Sequence, residues 1–368
     1  MSTESLSQTL NFKSWPRWEE SKAYPAYKKR VGGSLTIICN YFRKECIMPR
    51  KRNSLKHDLF IAASKNITNN RTRTSYKRAI TRFTKWAKEH NIKKKSDISV
   101  EMIQLYQLDL NDDPKQYSVA TIHTYLAPIC KAVDINMNRI RKDKRSSDKI
   151  IRGRVKSKNS QGKHQETDSR FSRLVNFQRA VGIRRSELKK LKGRDIRKDK
   201  NGNYYVLVQR GKGGKFQPQL ILPQDVPVVL DTFKNKQEDD YIFTDVEMNN
   251  LINLHGMRAQ HARECYYFYL KKLQDNPNFK MNLKHFLIER WEFGHQNLRN
   301  KSLKKFEKQK KAFINELRDE PYKIRGSNYK KALNSALPTK YNRLALMAVS
   351  VFHLSHWRLS VTVTNYIL

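Results

Sequence analysis

The sequence predicts an α+β protein: a helical domain over residues 54–135, then a mainly helical domain over 168–368 carrying a small three-stranded antiparallel sheet. Three observations lead there. Apolar residues recur at helical spacing through 54–135. The spacing then changes to short β-rich runs around Asn201-Gly202, a strong hairpin signal. Between the two lies a stretch, 136–167, with many Lys, Arg, Ser and Gly residues and no periodicity, which reads as a basic linker.

Charge sets the class of partner. The 368 residues hold 75 Lys and Arg against 34 Asp and Glu, a formal net charge of +41. Such a surplus repels itself in the compact state and calls for a polyanion, so nucleic acid is the expected partner. An RNA-binding protein shares that balance, so charge alone leaves the activity open. The four cysteines (Cys39, Cys46, Cys130, Cys265) form no C-x-x-C pair and have no matching His spacing. Neither a disulfide framework nor a zinc site is expected, and a reducing cytosol suits the chain. The N-terminus does not resemble a signal peptide, and the longest apolar run, Leu344 to Phe352, is too short to span a bilayer.

In chain order, residues 1–53 form an N-terminal extension of uncertain role, with Phe12, Trp15, Trp18, Tyr24 and Tyr27 ahead of a basic run ending in Arg50-Lys51-Arg52. A peripheral tail, a small DNA-binding arm and translation from upstream of a true start at Met48 all remain open. Residues 73–90 place Tyr76, Ile80, Phe83 and Ala87 on one helical face, with Thr72 or Thr74 as cap and Asn91 as a left-handed stop. Ser99 opens a shorter helix with Ile103 and Leu105. After Asn111-Asp112-Asp113-Pro114, Ser118 opens another with Val119, Ile122, Leu126, Ile129 and Val133. Asp168 or Ser169 caps a helix holding Phe171, Leu174, Val175 and Phe177, which runs into Gly182. Strands follow at Asp195-Ile196, Tyr204–Val208 and Gln219–Leu222, then helices from about Val226 to Phe233 and from about Asp245 to Leu270. A Lys-rich segment at about 272–340 reads as helical, with Phe306, Phe313, Ile314 and Leu317 on one side.

Four short segments stand out along the second domain, in fixed order. They are Gly182-Ile183-Arg184-Arg185-Ser186-Glu187-Leu188, Gly211-Lys212-Gly213-Gly214-Lys215, His255-Gly256-Met257-Arg258 and Leu354-Ser355-His356 through Tyr366. Together they supply Arg, Lys, His-x-x-Arg, His and Tyr. Each alone is weak in a chain with 75 cations and 17 Tyr. In that order they resemble the tyrosine recombinase (phage integrase) family, whose catalytic set has those residue types in that sequence.

The resemblance implies roles that suit the chemistry of breaking a phosphodiester by a side chain. Tyr366 is the expected nucleophile, since a phenolate is reachable and its phosphate ester is reversible. Arg184 and Arg258 are the expected phosphate clamps, guanidinium being planar, bidentate and permanently charged. Arg185 competes for the first place, and the family's G-hydrophobic-R-x-S-E-L pattern favours Arg184, with Glu187 orienting it. His255 shares a helix face with Arg258 and would exchange a proton with the nucleophile. Lys212 is the expected acid for the departing 5′ oxygen, with Lys215 as rival, and His356 would bond the scissile phosphate. His261 and His353 read as neighbours.

The family also implies that 54–135 is a core-binding DNA domain (SAM-like) and 168–368 the catalytic domain. Expected DNA contacts are Arg73, Lys77, Arg78, Arg141, Lys142, Arg152, Arg154 and Lys215. The implied reaction needs no cofactor and no metal. The implied partners are double-stranded DNA at element ends and target, three further protomers in a tetramer, and an accessory excision or DNA-bending protein, all in a prokaryotic cytoplasm. The family lacks the 272–340 insertion, here expected to touch DNA or a neighbouring protomer unless it is a bare surface excursion. It also has one residue fewer between the second His and the Tyr, so a local bulge is expected before Tyr366. Two other activities stay open: type IB topoisomerase-like relaxation, and sequence-specific DNA binding without catalysis.

Overall fold

The computed structural model describes residues 10, 12, 54–141, 143, 169–209, 211 and 216–368. They are mostly helical, with a small three-stranded antiparallel sheet. The chain divides into two compact units, one from Tyr24 to Ile150 and the other joining Met1–Ala23 to Ile151–Leu368. No described helix is long and apolar enough to cross a membrane.

In the first unit, α1 (Leu55–Ser64), α2 (Asn70–Glu89), α3 (Val100–Asn111) and α4 (Val119–Ala132) surround one core. Leu59, Ile80, Phe83, Ile103, Leu126 and Ile129 are fully buried there. Ser99 and Ser118 cap α3 and α4 through side-chain oxygens, as their positions suggest. The cap of α2 is different. Asn69, not Thr72 or Thr74, accepts from the amides of Arg71 and Thr72, while the Thr74 hydroxyl donates 2.9 Å back to the Asn70 carbonyl inside the helix. Asn91 takes the left-handed stop, at φ 57°. Leu105, expected on the apolar face of α3, is exposed; Tyr106 and Leu110 take its place in the core. Arg82 binds Asp113 and lies 4.7 Å over Tyr117 and 5.7 Å over Tyr125, fixing the α2 surface to the start of α4.

In the second unit, α5 (Ser172–Val181) begins after a short turn at Ser169–Phe171, with no side-chain cap, and ends at Gly182 in the left-handed region at φ 65°. Only glycine fits here on two counts: the positive φ, and a Cβ that would lie 2.6 Å from the His261 ring. Next come α6 (Arg185–Leu188) and the strands β1 (Ile196–Lys198), β2 (Tyr204–Val208) and β3 (Gln217–Leu220), in sheet order β1-β2-β3. The Asn201-Gly202 turn forms with Gly202 at φ 86°. The third strand starts two residues earlier than its pattern suggests, because Val208 pairs with Gln217 and Leu222 already leads into α7 (Val226–Phe233). Side chains alternate along β2: Tyr205 and Leu207 enter one core cluster, Val206 and Val208 the other. The sheet is therefore covered on both faces.

The helix expected from Asp245 to Leu270 is two: α8 (Asp245–Met248) and α9 (Leu254–Asp275). The break lacks Gly or Pro and is held by side chains. Asn250 accepts from the Ile252 amide at 3.1 Å, and Asn253 caps α9 by accepting from the Gly256 amide at 2.9 Å. The Lys-rich segment folds as α10 (Pro277–Gly294), α11 (Gln296–Lys301), α12 (Leu303–Glu316), β4 (Tyr322–Lys323), α13 (Gly326–Asn334) and β5 (Lys340–Tyr341). It is no bare surface excursion. Phe286, Leu287, Trp291, Phe306, Phe313 and Leu317 join the larger core cluster, while Ile314, expected on that side, is exposed. Phe12 of the N-terminal extension is buried in the same cluster, with ring centroids 4.6 Å from Phe286 and 5.4 Å from Phe279. That residue is core rather than peripheral. The apolar run 344–352 is a buried helix, α14 (Arg343–Ala348), continued by a π turn at Val349–His353. α15 (Leu359–Thr362) and a second π turn (Val363–Ile367) close the chain.

One carboxylate in this unit opposes its own ionisation. Burial, with Glu264 nearby, raises Asp225 at the start of α7 to about 7. Its native pKa lies above the ordinary carboxylate value of 3.8, so the folded state keeps a proton that the unfolded chain sheds. Stability from this group therefore falls as pH rises from about 4 through about 7. Asp225→Asn is expected to be more stable than the parent by about 2–4 kcal/mol at pH 8 and unchanged near pH 4. Urea unfolding at both pH values measures this; equal gains at both would refute it.

Candidate active site

The site is assembled from the end of α5, the start of α6, the first turns of α9 and the last fifteen residues. Buried Gln178 joins two of these by donating its side-chain amide to the carbonyls of Ile183 (2.9 Å) and Leu254 (2.7 Å). The Gly182–Arg184 turn is thereby fixed beside the start of α9.

Arg184 and Arg185 sit side by side in sequence but differ in their partners. Arg185 is spent on backbone, donating to the carbonyls of Asn250 (3.0 Å) and Ile252 (2.7 Å) and to the Asn250 side chain (3.0 Å). It closes the break between α8 and α9. Arg184 instead pairs with Glu187, Nη1 to Oε1 at 2.6 Å, and the Arg184 amide donates to Oε2 of the same carboxylate at 2.9 Å. The Glu187 side chain is almost wholly buried, that of Arg184 about a fifth exposed (21%). One buried carboxylate thus fixes both the backbone and the guanidinium of a partly accessible cation.

Arg258, on the inner face of α9, is 1% exposed. It donates to the Gly182 carbonyl and, at 3.0 Å, to the Leu354 carbonyl. Its Nε has no hydrogen-bond partner among the described residues. Burial lowers its pKa, and the Tyr366 hydroxyl counters that shift. Its guanidinium carbon lies 5.6 Å from the Tyr366 ring centre. His255, one turn earlier, is exposed and meets the Tyr366 ring edge-on at 5.8 Å.

Tyr366 and His356 share a hydrogen bond of 3.0 Å between the phenolic oxygen and Nε2. This differs from the sequence expectation, in which His255 attends the hydroxyl and His356 the phosphate. The separation along the chain is absorbed by the π turn at Val363–Ile367, where the Leu368 amide reaches back to the Val363 carbonyl at 2.9 Å. A π turn is one residue inserted into a helix, which matches the bulge expected from the long His356–Tyr366 spacing.

The segment carrying His356 is bent and pinned. Ser355 (φ 52°) and Trp357 (φ 58°) both adopt left-handed backbone, costly for side chains of these types. Compensating contacts hold it. The His356 amide donates to the Ser350 carbonyl at 2.9 Å, and the Arg358 amide to the Ser350 hydroxyl at 3.1 Å. Trp357 lies between Arg290 (5.2 Å), His295 (5.6 Å) and Phe313 (5.9 Å), all contributed by the 272–340 segment. Arg290 is buried, its pKa lowered to about 9 by desolvation. Trp357→Ala removes this clamp. It should cost about 3 kcal/mol of stability and release the bent 355–357 segment that carries His356. Thermal unfolding beside amide hydrogen exchange of residues 355–358 tests this, and unchanged protection there would sink the positioning role.

The other expected positions divide three ways. Lys212, Lys215, Lys142, Arg152 and Arg154 lie outside the described residues. Lys77 and Arg78 are exposed on α2, and Arg141 is exposed beyond α4. Arg73 turns inward, donating at 3.4 Å to the Ile67 carbonyl and lying 5.6 Å over Phe60, so it serves the fold of its own unit.

Sequence reasoning took His261 and His353 as mere neighbours of the site and gave Cys265 no role. His261, Cys265 and His353 are fully buried and in mutual contact: His261 Nε2 is 3.2 Å from His353 Nδ1 and 3.4 Å from Cys265 Sγ. Burial, then the charge of Arg258, lowers His261 to about 4, and burial lowers His353 well below the usual imidazole value. Cys265 was read as having no His at metal-site spacing, yet it stands i,i+4 from His261 on one helix, which brings the two side chains to one face; the arrival of His353 was not legible.

No family model matches the chain, and no curated protein matches it. Among solved structures, the chain is similar to the crystal structure of XerA recombinase, with a TM-score of 0.20 and 17% sequence identity over 57% of this chain and 82% of that one. Overlap at that level carries no weight for either fold or activity.

Proposed function

We propose that this chain cuts and rejoins DNA strands through a transient 3′-phosphotyrosine at Tyr366, as a site-specific recombinase that integrates and excises a mobile element. One observation carries the reading: the 3.0 Å hydrogen bond between the Tyr366 hydroxyl and His356 Nε2, with the Arg258 guanidinium 5.6 Å from the same ring. A phenol next to an imidazole acceptor and an arginine has the parts of a nucleophile, its base and a phosphate cation. With its proton on Nδ1, His356 accepts from the phenol as the Tyr366 oxygen attacks phosphorus. The bond to the 5′ oxygen breaks, and Lys212 supplies that oxygen with a proton. Arg184 and Arg258 take up the charge on the remaining phosphate oxygens. The 5′ hydroxyl of a partner strand then reverses the step, returning the phenol.

Arg258 lies beneath the Tyr366 ring, so a phosphate reaches it only when the last helical turns shift outward. Four protomers are needed for two rounds of exchange between two duplexes. The helical unit carrying Lys77 and Arg78 and the basic linker at 136–167 supply further phosphate contacts, in line with the +41 charge.

Incubation with a nicked suicide duplex from the element's end tests the reading. A denaturation-resistant protein–DNA adduct is the expected product. Relaxation of supercoiled DNA with no site preference would instead favour topoisomerase-like activity, and tight binding with no adduct would favour a binding-only protein.

A further inference from the structure

Under the site, three metal-ligand side chains converge in the core, and the proposed reaction uses none of them. His261 and Cys265 project from one face of α9, and His353 ends the π turn at Val349–His353. Their donor atoms lie within 4.8 Å of one another. Hydrogen bonds join the two imidazoles and leave the thiol aside. The Arg179 carbonyl can only accept, so the 2.9 Å contact fixes the proton of His261 on Nδ1 and leaves Nε2 with one lone pair. His353 Nδ1, 3.2 Å away, meets that pair, while Cys265 Sγ lies 3.4 Å from Nε2 and 3.9 Å from Nδ1, beside the ring rather than along the lone pair, and so outside the hydrogen bond between the imidazoles.

A cation satisfies all three at once when the Cys265 side chain turns from beside the His261 ring toward Nε2. Tetrahedral zinc, with bonds of about 2.0–2.1 Å to nitrogen and about 2.3 Å to sulfur, sets its ligands about 3.3 Å (N to N) and about 3.6 Å (N to S) apart. The contacts of 3.2 and 3.4 Å are close to two of those edges, and the third pair, Cys265 Sγ and His353 Nδ1, lies within 4.8 Å. Each imidazole is also anchored through its far nitrogen, His261 to the Arg179 carbonyl and His353 Nε2 to the Tyr269 hydroxyl at 3.0 Å. Such outer partners orient ligating histidines. Widening of the helix at 349–353 is what turns His353 toward α9.

We propose that His261, Cys265 and His353 hold a zinc-class ion that fastens the helix carrying Arg258 to the segment carrying His356. Thiolate with two imidazoles is the donor set such an ion prefers, and the fourth position falls to a water. On binding, the Cys265 sulfur exchanges its proton for the metal, and that proton leaves to solvent. The His353 proton moves to Nε2 and is donated to Tyr269. With every donor buried, loading accompanies folding.

The test uses full-length protein refolded with excess Co²⁺ as a visible probe, and with Zn²⁺ or a chelator. One Co²⁺ per chain with a thiolate-to-cobalt charge-transfer band is expected. Zn²⁺ should raise Tm by about 5–10 °C. Cys265→Ser and His353→Gln should lose both effects, and Cys130→Ser neither. Absence of a band and of a Tm shift in the parent chain would overturn the proposal, as would a band that survives Cys265→Ser. Should those variants fail to fold, alkylation of the parent chain decides instead. Zn²⁺ should slow modification of Cys265 at least 10-fold while leaving Cys130 unaffected, and equal rates would overturn the proposal.

Discussion

Tyr366→Phe is expected to abolish the covalent DNA adduct while leaving the fold in place. The substitution deletes one oxygen and the 3.0 Å bond to His356. The ring stays buried against Arg258, and the π turn that presents it is made by backbone. A lost hydrogen bond of this kind costs about 1 kcal/mol. Catalysis has no such reserve, because phenylalanine offers no nucleophile. Thermal unfolding and adduct formation should thus separate: a shift of a few degrees at most against complete loss of product. An adduct in the variant would mean that another Tyr acts, and the C-terminal assignment would fall.

Arg258→Lys has the second largest expected effect, and it strikes both stability and chemistry. The guanidinium donates to the carbonyls of Gly182 and Leu354, joining the Gly182 turn to the start of the His356 segment. Lysine keeps the charge but cannot serve both carbonyls in one plane. One buried acceptor is then unsatisfied, which costs about 1–3 kcal/mol. Cleavage should fall further, by about 100- to 1000-fold, the range seen when one preorganised donor to a developing oxyanion is removed. Single-turnover cleavage and urea unfolding of the same preparation measure the two losses. A destabilised variant that cleaves at the parental rate would show Arg258 to be purely structural.

The sequence carried some of this plainly and some not at all. The helices of the first unit were legible because Ile80, Phe83, Ile122, Leu126 and Ile129 repeat at helical spacing and Ser99 and Ser118 mark their starts. The Asn201-Gly202 turn announced the sheet. The break before α9 was hidden, since Asn250, Asn253 and Arg185 make it through side-chain bonds rather than through Gly or Pro. Leu105 and Ile314 lie on apolar stripes but face outward, a choice that neighbouring helices make. In the candidate site, the ordered segments foreshadowed that His255, Arg258, His356 and Tyr366 lie near one another, and the long His356–Tyr366 spacing foreshadowed the π turn. Which histidine meets the hydroxyl was not legible, because it depends on two left-handed residues, Ser355 and Trp357, and on a clamp from residues far back in the chain. The cluster of His261, Cys265 and His353 shares that cause: its third member comes from a turn that only the folded chain brings near.

The most direct measurement is the identity of the modified residue. Adduct formed on a suicide duplex would be trimmed with nuclease, cut with trypsin and sequenced by mass spectrometry. The account predicts a nucleotide mass on the phenolic oxygen of Tyr366, in the peptide that follows Arg358. A nucleotide on any other side chain, or an adduct-free chain from an otherwise competent binding reaction, would contradict it.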